Sequence, residues 1–265
     1  MMDEKVKNAI ESYLEGFLQG LINKYDPKVV KDEILKKATF DEKKGEYKPF
    51  HTALIPSELL RIQNFFRSFS TSLGQGVFEY IAKLVATSNS RWTEVKSNYK
   101  FKAFASPNIQ STVDTFIENI LNKKVDPYPY PAFPKSSSND TKNIVVDLSF
   151  KNKETGTMYF IEIKSPKPNK DQTRQTKEKF LFLLATYPNS NVYYALPYNP
   201  YGERKVNYKW SFTKMFFDMD EEVLIGKEFW DFLGGANTYE EILKVFRSVG
   251  ESKGKEITKR LIKGV

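Results

Sequence analysis

An α/β fold is what this chain predicts: a mixed central β-sheet flanked by helices, with additional N-terminal helices. Three observations predict it. Residues 143–150 (NIVVDLSF) and 158–164 (MYFIEIK) are β-rich runs joined by a turn containing Gly156. Residues 169–186 change from polar (NKDQTRQTKEK) to strongly apolar (FLFLLA), as a helix does when its second half enters a core. Residues 191–198 (NVYYALPY) form a third β-rich run, ended by Asn199-Pro200-Tyr201-Gly202. Strand, strand, helix, strand, with helical periodicity before and after, describes a mixed α/β core.

The other elements follow in order. Val6, Ile10, Leu14, Phe17, Leu18 and Leu21 recur at helical spacing, so 4–22 reads as an amphipathic helix with Asp3 as its N-cap. A short helix is expected over 27–38, then a charged loop or hairpin over 39–54, where Gly45 and Pro49 interrupt periodicity. Residues 56–86 read as helical with a break at 70–76, where Gly74 and Gly76 end one helix and start another. Val77, Ile81, Leu84 and Val85 make the apolar face of that second helix. Asn108 caps a helix running to Leu121, with Ile109, Val113, Phe116, Ile117 and Ile120 in one stripe. The Pro-, Tyr- and Ser-rich stretch 126–139 is irregular, and roughly the last 40 residues are helical again. The expected organisation is an N-terminal helical segment over 1–54 and a larger domain over 55–265, packed as one unit.

Composition removes several chemistries. The 265 residues include no cysteine, which excludes disulfides, thiolate zinc sites, iron–sulfur clusters and thiol nucleophiles. His51 is the single histidine, so mechanisms that need two imidazoles are excluded. No run approaches a membrane span or a secretory h-region, and a cytoplasmic protein is expected. The charge balance is 41 − 33 = +8, which favours a polyanionic partner. Residues 151–180 hold eight basic and four acidic side chains, a net of +4, half of the whole excess. That basic stretch is separated along the chain from the apolar half of its helix, which favours DNA over a membrane surface.

The strongest chemical pattern lies on the first two β-runs. Alternation puts Glu162 and Lys164 on one side of their strand, with Ile161 and Ile163 on the other. Ile144, Val146, Leu148 and Phe150 share one face of the preceding strand, leaving Asp147 to project from the opposite face. If the hairpin closes through its loop, Asp147 lies across from Glu162. Two carboxylates aimed at one point suit a hard divalent cation such as Mg²⁺, and the lysine can hold a water and offset developing phosphate charge. An acid two residues before a lysine recurs throughout this lysine-rich chain, and the plain alternative is a solvated Glu–Lys pair at a strand end. Context separates Glu162/Lys164 from the rest: it ends an apolar β-run, follows a β-run bearing an aspartate and precedes a helix. Glu94/Lys96 is the best rival, because Trp92 and Val95 could sit in a strand.

Asp147, followed after fourteen residues by Glu162-Ile163-Lys164 on an adjacent strand with a helix beyond, resembles the PD-(D/E)xK nuclease core, with Val146 where that pattern expects proline. Residues 66–79 (FRSFSTSLGQGVFE) resemble the segment that opens the acidic helix of Type II restriction endonucleases. Residues 194–202 (YALPYNPYG) and 224–230 (LIGKEFW) are similar to a restriction-enzyme family whose members read GGNCC. The likeness spans about residues 50–248.

The resemblance implies a fold, a reaction and a set of roles. Asp147 and Glu162 would bind Mg²⁺, with the Ile163 carbonyl as a further ligand. Lys164 would orient the attacking water, and Glu79 would be an additional helical acid of the site, its alternative being an exposed helix glutamate. Lys167, just before the following helix, and Lys170, Gln172, Arg174 and Gln175 in its first half are candidate DNA contacts, since Arg and Gln suit base-edge readout, although a polar half-helix is often only solvated. Ser72 and Asn199, inside the resembling segments, are the other candidate DNA contacts. His51 suits a structural or DNA-contact role better than a catalytic one. Tyr128, Tyr130 and Phe133 could stack on bases or pack on the core.

The expected activity is Mg²⁺-dependent, sequence-specific cleavage of double-stranded DNA to 5′-phosphate and 3′-hydroxyl ends, by a homodimer matched to a palindromic site. A companion DNA methyltransferase would protect the host. No nucleotide cofactor is expected, because GxxxxGK[ST] is absent. Two alternatives stay open at this point: a structure-specific repair or recombination nuclease with the same core, and a non-catalytic DNA-binding protein.

Overall fold

The computed structural model describes residues 2–26 and 49–262; the helix expected over 27–38 and most of the 39–54 loop lie outside them. Two compact units account for the chain. One comprises Met1–Met2 and Phe78–Glu240, the other Asp3–Val77 and Glu241–Val265.

The second unit is helical. Helix α1 spans Glu4–Tyr25, and Asp3 caps it as expected, its carboxylate accepting the Lys5 amide at 2.8 Å. Helix α2 covers Pro49–Leu54, so the last residues of the expected loop, including His51, are helical; Pro49 stands at the helix start, where its missing N–H costs nothing. Helix α3 spans Ser57–Ser72. The break expected at 70–76 does not occur: the chain stays helical through a π-turn, Leu73–Val77. A wider turn absorbs the small residues without interrupting the backbone ladder. Leu21, Phe65 and Leu261 form a core in this unit, over which the buried Arg61 donates to the Tyr25 and Leu261 carbonyls. Leu261 belongs to a second π-turn, Thr258–Ile262.

The first unit carries the sheet. Its elements are α4 (Phe78–Ser88), β1 (Trp92–Phe104), α5 (Pro107–Leu121), β2 (Thr141–Asn152), β3 (Met158–Ile163), α6 (Lys170–Thr186), β4 (Asn191–Leu196), α7 (Ser211–Phe216), β5 (Val223–Ile225) and α8 (Lys227–Gly234); α9 (Thr238–Ile257) begins at its end. The strand order is β1-β2-β3-β4-β5. Strands β1, β2 and β3 pair antiparallel, and β3, β4 and β5 pair parallel, which makes the sheet mixed. Both edge strands escape the periodicity argument. β1 is a polar run (WTEVKSNYKFKAF) with a register shift between Thr93 and Lys96, and β5 is three residues long. The helix predicted to start at Asn108 starts instead at Pro107, with Ser106 at the cap position and its hydroxyl donating to Asn108 Oδ1.

Ile144, Val146, Leu148 and Phe150 of β2 are all buried, whereas Val145 is exposed, and the buried set serves two packings. Ile144 and Val146 join the main core with Phe101, Phe160 and the stripe of α5, whereas Phe150 lies 4.5 Å from the Trp92 ring and stacks on Tyr159. Helix α6 enters that main core with Phe180 to Leu184 consecutively buried. Its start is fixed by a capping box: Asn169 Oδ1 accepts the Gln172 amide at 2.8 Å, and Gln172 Oε1 accepts the Asn169 amide at 3.4 Å.

Candidate functional site

The antiparallel register of β2 and β3 pairs Leu148 with Ile161, so one further step sets Asp147 opposite Glu162. This step brings three sequence-predicted residues together. Lys164 Nζ lies 2.8 Å from Asp147 Oδ2 and 2.8 Å from Glu162 Oε2. The Ile163 amide donates to the same Asp147 oxygen at 2.8 Å, which locks the aspartate onto the end of β3. Lys164 itself is held by its own amide, which donates to the Ala195 carbonyl of β4 at 3.0 Å.

Electrostatics follow from burial. The Glu162 side chain is fully buried, and burial pushes its carboxyl above the usual carboxylate range, against the pull of Lys164 and Lys179. Burial works against the Lys164 ammonium, but Glu162 and Asp147 outweigh it and hold Lys164 above the ordinary lysine value. Glu79, in the first turn of α4, is half-buried; burial and then the charge of Asp147 push its carboxyl up. Asn98 Nδ2 donates to Glu79 Oε2 at 3.3 Å. Glu79 is thus in the electrostatic field of the pair, yet among the described residues no three His, Asp or Glu side chains close into one ligand cluster.

Two further residues enter from outside the motif. Lys179, counted in the sequence only as part of a basic stretch, reaches Glu162 from α6, with Nζ 3.1 Å from both carboxylate oxygens. It lies fifteen positions beyond Lys164, and its turn of the helix meets the site only once α6 is packed. Asn98 lies on β1 between Ser97 and Tyr99, which pair with Leu148 and Val146, so it falls opposite Asp147. Its φ of 50° is left-handed, a conformation asparagine tolerates better than most residues, but nothing in a polar edge strand announces it.

The candidate DNA contacts divide. Lys170 and Gln175 are exposed on the first half of α6. Gln172 is exposed but its amide oxygen serves the cap, and Arg174 leans on Glu178 at 3.6 Å. Lys167 is exposed, with its ammonium 5.1 Å from the Tyr201 ring and 5.9 Å from the Trp210 ring. Asn199 is built into its turn: Nδ2 donates to the Arg204 carbonyl at 2.8 Å and Oδ1 accepts the Tyr201 amide at 3.0 Å. Ser72 ends α3 in the other unit, and His51 is exposed on α2. Tyr130 packs on the core and donates to the buried Glu222 at 2.8 Å, so it takes the packing alternative; Phe133 also packs on the core.

The two segments at 194–202 and 224–230 are neighbours in space. Leu196 pairs with Ile225, the Gly226 amide donates to the Leu196 carbonyl at 2.9 Å, and Trp230 Nε1 donates to the Pro197 carbonyl at 2.9 Å. Gly226 takes a φ of 58° at this junction, which glycine supplies without a steric penalty.

Chemically, the arrangement presents hard oxygen donors and an ammonium at one point. That donor set fits a divalent cation bound by oxygen ligands and suits neutralising charge on a phosphate. Among the described residues no helix is long and apolar enough to cross a membrane.

Comparison with known proteins agrees with this chemistry. Residues 2–250 match the family described as Type II restriction endonuclease, HinfI. The chain is 34% identical over 273 residues to the Type II restriction enzyme HgiCII of Herpetosiphon aurantiacus, covering 97% of each protein. It is 30% identical to HgiBI of the same organism, again over 97% of each. It is 27% identical to MjaII of Methanocaldococcus jannaschii, over 94% of this chain and 72% of that one.

Proposed function

Because the chain belongs to the HinfI family of Type II restriction endonucleases, and is thus a site-specific deoxyribonuclease acting on DNA, we propose that Asp147, Glu162 and Lys164 are its catalytic centre. The observation that carries this reading is the Lys164 ammonium held at 2.8 Å from both carboxylates, one on each of two paired strands. The alternatives of a structure-specific repair nuclease and of a non-catalytic DNA-binding protein give way to the family's activity.

Asp147 and Glu162, with the carbonyl of Ile163, would hold Mg²⁺. When bound, such a cation supplies Lewis-acid stabilisation of charge on the scissile phosphate. Lys164 orients the attacking water and faces the charge that develops on the phosphate; Glu79, tethered by Asn98, flanks the pair. Water adds in line to phosphorus, the bond from phosphorus to the 3′ oxygen breaks, and the products are a 5′-phosphate and a 3′-hydroxyl. The exposed Lys170 and Gln175, with Lys167, Gln172, Arg174, Ser72 and Asn199, are the proposed DNA-binding set; of these Asn199 acts by shaping its turn. Recognition of GGNCC, action as a homodimer on a two-fold site, a companion methyltransferase and a cytoplasmic location complete the reading.

The test is incubation of purified protein with unmethylated duplex DNA and Mg²⁺, with EDTA and Glu162→Ala controls, followed by sequencing of fragment ends. Discrete fragments with 5′-phosphates at GGNCC, lost in both controls, are expected. Cleavage that persists in Glu162→Ala would remove Glu162 from the centre, and fragment ends at another sequence would replace GGNCC.

A further inference from the structure

Lys179 makes contacts that the Asp147, Glu162 and Lys164 trio does not account for. Its Nζ lies 3.1 Å from Glu162 Oε1, 3.1 Å from Glu162 Oε2 and 3.2 Å from the Val145 carbonyl. Lys164, by comparison, touches Oε2 alone and divides its charge between Glu162 and Asp147. A fully buried carboxylate is costly without a cation and hydrogen bonds of its own. With Lys179 counted, two ammonium groups face two carboxylates, and both oxygens of Glu162 are engaged. The Val145 carbonyl, two residues before Asp147, ties Nζ to the strand that carries the other acid.

The two lysines differ in freedom. Lys164 is anchored at both ends, by its amide on β4 and by two carboxylates. Lys179 rises from a helix and its side chain is 36% exposed, so its ammonium can move back into water without leaving a buried unpaired charge. A divalent cation on Glu162 needs the same oxygens that Lys179 holds.

We propose that Lys179 is a positioning residue for Glu162: its ammonium fixes the plane of the carboxylate and competes with the divalent cation for both oxygens. This rests on the reading of Glu162 as a metal ligand. The competition keeps cation affinity low, and the arriving phosphate offers the displaced ammonium a new anionic partner.

The test is titration of the full-length protein with MnCl₂ in the absence of DNA, following free Mn²⁺ by its paramagnetic signal, together with thermal denaturation of each variant. Lys179→Met is expected to bind Mn²⁺ about fivefold more tightly than the parent protein, the size of one partly exposed ion pair. Lys179→Arg, which restores a cation, is expected to bind like the parent. Lys142→Met removes the same unit charge from an ammonium seated on the Phe182 ring, and is expected to change affinity less than about twofold. Unchanged or weaker binding by Lys179→Met overturns the proposal, as does an equal gain in Lys142→Met, which would reduce the effect to net charge. Glu162→Ala separates the two levels: if it binds Mn²⁺ as the parent does, the metal-ligand reading falls and the role of Lys179 with it. If it loses binding while Lys179→Met matches the parent, only the role of Lys179 falls.

Discussion

The ammonium of Lys164 lies 2.8 Å from Asp147 Oδ2, across the β2–β3 pairing rather than along its own strand. That bond joins two residues seventeen positions apart and gives the site its geometry, because the Ile163 amide holds the same oxygen from the other strand. Lys164→Met, Asp147→Asn and Glu162→Gln are each expected to lower single-turnover cleavage by about 10²- to 10⁴-fold, the range for removing a positioned charge from a reacting phosphate. DNA binding, measured by gel shift in EDTA, should stay within a few-fold of the parent. Parent-like cleavage by Lys164→Met would move the water-orienting role elsewhere.

Asn98 and Glu79 allow stability and activity to be separated. The left-handed backbone at Asn98 is strained for alanine and free for glycine, while the hydrogen bond to Glu79 is lost in both. Asn98→Ala should therefore cost about 1 kcal/mol of stability more than Asn98→Gly. Both should reduce cleavage equally, by roughly tenfold, the scale of one hydrogen bond to a charged group. Parent-level cleavage by Asn98→Gly would show that the tether on Glu79 is idle.

Lys177 on α6 and Glu222, just before β5, form a buried ion pair. Lys177 also donates to the Pro127 carbonyl at 2.8 Å, and Glu222 accepts from Tyr130 and from the Asp218 amide, each at 2.8 Å. Burial pushes the Glu222 carboxyl up and the Lys177 ammonium down. Lys177→Met strands the carboxylate and should cost about 3–5 kcal/mol in urea denaturation, and the double variant Lys177→Met/Glu222→Gln should recover a large part of it. A single-variant loss below about 1 kcal/mol would contradict this.

A pH dependence follows from Glu162. Its carboxyl is raised by burial above the ordinary 4.5, so between that value and the folded value the native protein binds more protons than the unfolded chain. Stability therefore falls as pH rises through this window. On the proposed metal-ligand role of Glu162, Mn²⁺ affinity should move oppositely, because only the ionised carboxylate would bind the cation. Glu162→Gln lacks the titrating group, and its stability relative to the parent should grow as pH rises above 4.5. Parallel urea midpoints for the two proteins across this range would rule that out.

Exposure sorts the proposed DNA contacts. Lys170→Ala should weaken duplex binding uniformly and reduce the salt slope by about one, whereas Gln175→Ala should change discrimination between sequences. Asn199→Ala should instead cost about 1 kcal/mol of stability, because its side chain closes the turn after β4. A change in salt slope with unchanged stability in Asn199→Ala would place that residue on the DNA.

Much of this was legible in the chain because it depends on local periodicity. The β2–β3 hairpin places Asp147 against Glu162 through alternation alone, and α6 begins where Asn169 and Gln172 can cap it. A short turn with a buried face permits one register, so the central motif needed no distant contact to be read. Edge strands and long-range pairings carry no such local signature. Strand β1 reads as polar because one of its sides meets water, and β5 is too short for any period. The acid–acid–lysine constellation, the helix that follows it and the absence of cysteine chemistry were therefore readable from residue order. Folding in three dimensions is what brings Lys179 to Glu162, sets Asn98 opposite Asp147 with its tether on Glu79, and commits Asn199 to its own turn. Those contacts depend on how α6, α4 and the β4 turn pack against the sheet, and packing is set by the whole core rather than by neighbours in the chain.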